Sequence, residues 1–288
     1  MEKAMTPLFG IGYRRPYREA LLARDLPEDF VLEIMGSHFF SNPLDLAPLV
    51  ERFPVVLHEV MGSLGTEPPG TFDDAWLERM KKVVQIAKPL FVTEHLAFTR
   101  SASGADLGHL CPLWMTHASK DALVVRVKKL QDALGVRVLL ENIAWPFVIP
   151  NADYDEASFL RAICEETGAG ILLDVSNVIA NAKNFGFDAQ KWLDSFPVGH
   201  VEQVHLAGSQ LHRGFWVDSH DSRVDASSYL LLDHLAKTKV PRAVIIERDG
   251  AYPPLEELLL EVARARSICS PSENDSRHNL SNQEVRMP

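Results

Sequence analysis

Cysteine is scarce in this chain. The three present, Cys111, Cys164 and Cys269, are too few and too scattered in 288 residues for a disulfide framework or a thiolate zinc site. They read as ordinary reduced thiols. Long apolar runs are missing too: nothing approaches the roughly 20 residues needed to cross a bilayer. The opening MEKAMTPLFGIGYRRPYREA has no apolar segment of the signal-peptide kind. The expectation is a cytoplasmic protein with no membrane partner. Basic charge is also in deficit. A formal net charge of -10 argues against a surface that neutralises phosphates, and so against nucleic acid as a partner. Finally, no GxGxxG or GxxxxGK follows an apolar run, so the phosphate-cradling turns of dinucleotide and P-loop folds are lacking.

What is present is a regular alternation. Eight apolar or β-branched runs read as strands buried on both faces: Leu8 to Tyr13, Phe30 to Met35, Pro54 to Val60, Leu90 to Leu96, Val136 to Asn142, Ala169 to Val175, Val201 to Leu206 and Ala243 to Arg248. Between them lie stretches of helical period, among them Phe72 to Ile86, Lys120 to Leu134, Glu156 to Thr167 and Leu255 to Arg266. Asp73, Asp155 and Asp188 are placed to cap helices. This α/β pattern predicts a (β/α)8 TIM barrel over residues 1–266, with a polar tail, 267–288, expected to be disordered. At 46% hydrophobic residues the chain can bury such a core, and no linker divides it.

The strand ends carry the chemistry. In a barrel the reactive groups sit where strands give way to the loops that follow. Strand three ends VVLHEV with His58, and strand four FVTEHL with Glu94 and His95. Strand five ends VLLEN with Glu141, strand six ILLDVSN with Asp174 and Asn177, and strand seven EQVHLAG with His205. Asp218 and His220 follow in VDSHD, and strand eight ends VIIERD with Glu247. Any one of these alone is most simply a solvated strand end. Six strands in succession are not, because a charge on a buried strand is costly unless paired or coordinated. Histidine with carboxylate and no thiolate suits zinc, iron or manganese, and the number of groups exceeds the needs of one ion, so two or three are implied. Glu141, central in the order, is the best bridge between ions. Asp218 and His220, alternating in an extended segment, project the same way, and Asn177 supplies a neutral oxygen nearby.

Other groups compete less well. Glu94 points away from His95 on a strand and is left without a role. His109, His117, His200, His212 and His234 read as solvated, Ser176 as a hydrogen-bond partner, and Arg14 and Arg15 as surface ion pairs or an anion site.

The ligand order over strands three to eight resembles that of the xylose-isomerase-like barrels, including the trinuclear zinc endonucleases that cut at abasic sites. The strings GIGYR, TEHLAF, LLENIAW, LLDVSNV, NFGFD, VHLAGS, VDSHD and IERDG look closer to another group, the multinuclear non-heme iron-dependent oxidative enzymes, which include the catalytic subunit of methanobactin biosynthesis. The resemblance runs from about Gly10 to Arg266. It implies a site of two or three irons, Fe(II) and Fe(III), that uses dioxygen to modify cysteine in a ribosomally made precursor peptide, often beside a partner protein that binds the peptide leader. By motif, His58, His95, Glu141, Asp174, His205 and Glu247 would hold two irons, and Asn177, Asp218 and His220 a third. Glu141, Asp174 and His205 would stand closest to the chemistry. The wording also departs from the family. Ser37 and His38 replace a Glu-Asn pair, Glu59 follows His58 where glycine is usual, LLPLPYT becomes HLCPLWMT, and HLAGH becomes HLAGS. The metal ligands look complete while their neighbours differ. The alternative is a zinc, manganese or magnesium isomerase or hydrolase on the same barrel.

Overall fold

The computed structural model describes residues 6–66, 74–101 and 103–270. Eight parallel strands, β1 (Leu8–Gly12), β2 (Phe30–Met35), β3 (Val55–Glu59), β4 (Val92–His95), β5 (Val138–Glu141), β6 (Gly170–Asp174), β7 (Val201–Leu206) and β8 (Ala243–Ile246), follow one another around a closed barrel, with β8 pairing back to β1. Each predicted run contains its strand, trimmed by a residue or two at most ends.

The helices follow from local chemistry. Helix Glu156–Thr167 starts at Asp155, whose Oδ1 accepts the Ser158 N–H at 2.7 Å, and ends at Gly168 with φ 72°. Asp188 caps Ala189–Ser195 in the same way, accepting from Gln190 and Lys191. The predicted cap Asp73 and the predicted start of its helix at Phe72 lie outside the described residues; among the described residues the helix runs Asp74–Ala87. The last helix, Leu255–Cys269, continues past Arg266, and residues 271–288 of the expected tail lie outside the described residues. The crossover after β2 is short, a four-residue helix Ala47–Val50 after two 3-10 turns, with Pro43 and Pro48 in the opening positions of the second turn and of that helix, where a missing N–H costs nothing.

Two antiparallel hairpins go beyond what the sequence pattern predicts. Ala97–Arg100 pairs with Asp106–Pro112 in the loop after β4, and Ser209–His212 with Phe215–Asp218 after β7. Both rise from the C-terminal end of the barrel.

Two packing zones hold the fold. The larger lies between the strands and the helices. The smaller fills the barrel interior with Val31, Val56, Phe91, Leu139, Leu172 and Ile245. Strand side chains alternate, so residues two further along point to the same side. Two residues beyond Val31, Val56, Leu139, Leu172 and Ile245 come Glu33, His58, Glu141, Asp174 and Glu247. The apolar plug therefore closes the barrel below, and the ionisable layer sits on top of it.

Candidate metal centre

The strand registers bring the predicted residues together. His95 pairs with Glu141 across β4 and β5, and Asp174 with His205 across β6 and β7. Glu141 is the hub. Its Oε2 lies 3.2 Å from His95 Nε2 and 3.8 Å from His58 Nε2, and its Oε1 lies 3.3 Å from His205 Nδ1. His205 Nδ1 is also 3.0 Å from Glu247 Oε2 and 4.0 Å from Asp174 Oδ2. His220 completes the ring, with Nε2 2.6 Å from Asp218 Oδ1 and 3.9 Å from Asp174 Oδ2, and Nδ1 3.2 Å from Glu247. The triads His58, His95, Glu141 and Glu141, Asp174, His205 and Asp174, His220, Glu247 each have ligand atoms within 4.8 Å of one another.

Remote hydrogen bonds fix which atom of each side chain faces inward. His58 Nδ1 meets Thr93 Oγ1 at 2.6 Å, and His95 Nδ1 meets the Glu59 carbonyl at 3.1 Å, which leaves both Nε2 atoms toward Glu141. His205 is reversed: its Nε2 meets Glu33 Oε2 at 2.8 Å, and Nδ1 faces the cluster. Asp174 Oδ1 accepts the Asn177 N–H at 2.7 Å as the cap of helix Val175–Phe185, freeing Oδ2. Asn177 Nδ2 donates to the Asn142 carbonyl at 3.1 Å and so turns Oδ1 outward. Among the described residues Glu141 Oε2, Asp174 Oδ2, Asn177 Oδ1, His205 Nδ1, Asp218 Oδ1 and His220 Nε2 are all buried without a well-directed hydrogen bond. Buried polar atoms ordinarily have partners. Here the unpartnered atoms converge, and all are good donors to a borderline metal ion.

Electrostatics agree. Burial opposes charge on Glu141, yet His95, His205 and His58 draw its carboxyl down to about 2. Burial likewise opposes charge on His95, but Glu141 and Glu94 raise it to about 9. Burial raises Asp174, and the Asp218 carboxylate beside it raises it further. The carboxylates thus demand more positive charge than neutral imidazoles give. Divalent or trivalent ions meet that demand and use the same nitrogens as ligands, so the residues fit a multinuclear metal site.

Glu33 was missed. It is 2% exposed on β2 and forms a ligand-competent triad with His205 and Glu247. A lone glutamate in the apolar run FVLEIM carried the same signal as the other strands, but it stands inside the strand and not at its end. The expectation of an extended Asp218–His220 segment is corrected: His220 has φ 49°, held by backbone bonds from His220 N to Gly208 O and from Asp249 N to His220 O. The two side chains meet because the chain turns. Arg14 is half-buried and makes the expected kind of ion pair, with Asp249 and Glu247 (the latter at 3.6 Å), while Arg15 is exposed. Ser176 exchanges hydrogen bonds with the Ala207 backbone, and Glu94 accepts from Gly62 N and His95 N. Two departures from the family wording meet in space, since Glu59 Oε1 accepts the Ser37 N–H at 2.6 Å.

Above the ligands opens a cavity of about 830 Å³ whose wall includes His58, His95, Glu141, Asn177, His220 and Glu247 together with side chains of both hairpins. His109, expected to be only solvated, stands in this wall, as does Cys111. Cys164 and Cys269 are buried elsewhere, and burial pushes both thiols up to about 12.

A closed parallel barrel of eight strands and their helices, with metal-competent side chains at its C-terminal mouth, defines a (β/α)8-barrel protein. Solved structures agree at the level of fold: endonuclease IV from Thermus thermophilus superposes with a TM-score of 0.56 at 16% identity over 91% of this chain and 98% of its own. The 3-keto-D-glucoside 4-epimerase of E. coli gives 0.55 at 15% over 91% and 100%. Within that class the chain belongs to the family described as RiPP precursor modification enzyme MbnB/TglH/ChrH, which matches residues 8–270. It is 37% identical over 269 residues to a UPF0276 protein of Rhizorhabdus wittichii, covering 91% of this chain and 95% of that one. It is 35% identical over 264 residues to another from Caulobacter vibrioides, covering 90% and 93%. No helix among the described residues is long and apolar enough to cross a membrane.

Proposed function

We propose that this chain is a multinuclear iron enzyme that uses dioxygen to oxidise a cysteine residue of a ribosomally made precursor peptide, in the cytoplasm and beside a partner protein that holds the peptide leader. The observation that carries the reading is the surplus of converging, unpartnered ligand atoms around Glu141 beneath an open cavity. Family membership supplies the substrate class.

In this reading His58, His95, Glu141, Asp174, His205 and Glu247 would hold two irons, and Asn177, Asp218 and His220 a third. Iron bound here would supply thiolate ligation and one-electron chemistry with dioxygen. The chain's own groups do the rest. Glu141, Asp174 and His205, whose ligand atoms lie within 4.8 Å of one another, would hold the reacting groups at one place and in one orientation. Thr93, Glu33 and the Glu59 carbonyl hold the imidazoles in the ligating tautomer. The apolar plug closes the barrel below, so the reacting thiol would be approached by water from the cavity side alone.

The test is metal analysis and Mössbauer spectroscopy on protein purified without oxygen from iron-rich medium, then oxygen uptake with a cysteine peptide encoded beside the gene. Two or more irons per chain with coupled ferric and ferrous signals and thiol-dependent oxygen use are expected. Bound zinc or manganese with no oxygen use would replace this reading with isomerase or hydrolase chemistry.

A further inference from the structure

Helix Val175–Phe185 presents asparagines at positions 177, 181 and 184, a spacing that places them on one face. Asn177 lines the cavity over the ligand cluster and leaves its oxygen unpartnered. The other two have no place in the metal site, yet each is bonded in both directions. Asn181 Oδ1 accepts the Trp145 N–H at 2.8 Å while its Nδ2 donates to the Ile143 carbonyl at 3.0 Å. Asn184 Oδ1 accepts the Trp216 N–H at 2.8 Å while its Nδ2 donates to the Trp216 carbonyl at 2.8 Å. Asn184 thus pairs with the edge of the second hairpin as a neighbouring strand would, and Asn181 pins the loop after β5.

Those two segments are cavity walls. Trp145 and Trp216 both line the cavity that holds the ligand cluster. Phe185, from the same helix, joins them through ring contacts to Trp145 at 6.2 Å and to Phe215 at 6.1 Å, and Lys183 Nζ lies 3.6 Å from the centre of the Trp216 ring. Both tryptophans are therefore held at the backbone and at the side chain. At the rim Trp114 and Phe147 remain about half exposed. A thiol brought to the cluster carries its flanking side chains against aromatic surface, where an aromatic or bulky apolar neighbour buries area against the rings.

We propose that Asn181 and Asn184 are positioning residues for the substrate, holding Trp145 and Trp216 as walls that select a peptide with an aromatic or bulky apolar side chain next to its cysteine. The inference rests on the cysteine-peptide reading above, and its test measures binding, not turnover. The metal-loaded full chain is titrated calorimetrically without oxygen, using acetyl-Phe-Cys-amide and acetyl-Ala-Cys-amide. The phenylalanine peptide is expected to bind about tenfold more tightly, as burial of most of one aromatic side chain gives. Asn181→Ala combined with Asn184→Ala reduces that ratio to about threefold or less with metal content per chain unchanged. Asn184→Asp, which still accepts the Trp216 N–H but cannot donate back, falls between. Trp216→Ala removes a wall without touching the asparagines, so it must erase most of the ratio even if the double variant fails to fold. Equal affinity for the two peptides in the wild type, or an undiminished ratio in Trp216→Ala, overturns the proposal. Oxygen uptake with equal affinities would keep the oxidase reading and remove the walls; aromatic preference without oxygen uptake would do the reverse.

Discussion

His205 shows how much of this site depends on atoms that touch no substrate. Its Nδ1 lies among Glu141, Asp174 and Glu247, and what turns that nitrogen inward is Glu33 at its other side. Gln203, itself fully buried, donates to the same Glu33 oxygen and fixes the carboxylate. Replacing such a carboxylate commonly weakens metal binding by about 10- to 100-fold. Glu33→Gln is therefore expected to lower affinity for the ion at His205 by about that factor in a chelator competition assay, and an unchanged affinity would reduce Glu33 to a filler of the barrel. Glu141 belongs to a different category, because its two oxygens face different imidazoles. Glu141→Gln should release more than one equivalent of metal, read by elemental analysis, with the circular dichroism of the barrel preserved. Loss of a single equivalent would end its role as a bridge.

At the scale of elements, the strands were readable and the loops were not. A parallel strand buried on both faces is a short apolar run, and the histidine or carboxylate ending it is conspicuous because most of the run is apolar. The same logic covers Glu33, which escaped only because it stands inside β2. The hairpins 97–112 and 209–218 had no such signature. They are short, partly exposed and outside the β/α alternation, and the aromatic residues they carry read equally well as loop or helix. His220 was placed correctly beside Asp218 by an incorrect route, since period-two reasoning cannot foresee a left-handed residue. The GIGYR string has its own cause in the fold. A Cβ on Gly10 would stand 1.7 Å from the Val31 carbonyl oxygen, so β1 can approach β2 only without a side chain there. Because β1 also closes the barrel against β8, this strain cannot be relieved by moving the strand outward. Gly10→Ala should destabilise the protein by roughly 3 kcal/mol, the upper end for overpacking, measured by denaturant unfolding. A cost under about 0.5 kcal/mol would mean that the pairing is looser than drawn.

For the whole molecule, the plug and the ligand layer divide the barrel into parts with opposite needs. The lower interior is apolar and needs nothing further, whereas the mouth gathers Glu33, Glu141, Asp174, Asp218 and Glu247 in one enclosed place. His95, His205 and His220 offset these charges only by holding protons, and burial of each of the three rings works against that. Metal ions remove the conflict. Ions held as proposed would bind the folded chain and have no comparable site in the unfolded one, so each would add stability set by its concentration relative to its dissociation constant, about 4 kcal/mol at a thousandfold excess. For a chain of this size each kcal/mol raises the melting temperature by about 2–4 °C. Thorough chelation under anaerobic conditions should therefore lower the melting temperature by about 10 °C or more, and restored ferrous iron should recover it. Hydrogen exchange should locate the loss at the C-terminal ends of β3 to β8 and in the two hairpins, while the amides around Val56, Leu139 and Leu172 keep their protection. An unchanged melting temperature, or a loss spread evenly through the barrel, would show that the mouth is neutralised by protons alone and that the ligand layer is not the metal centre.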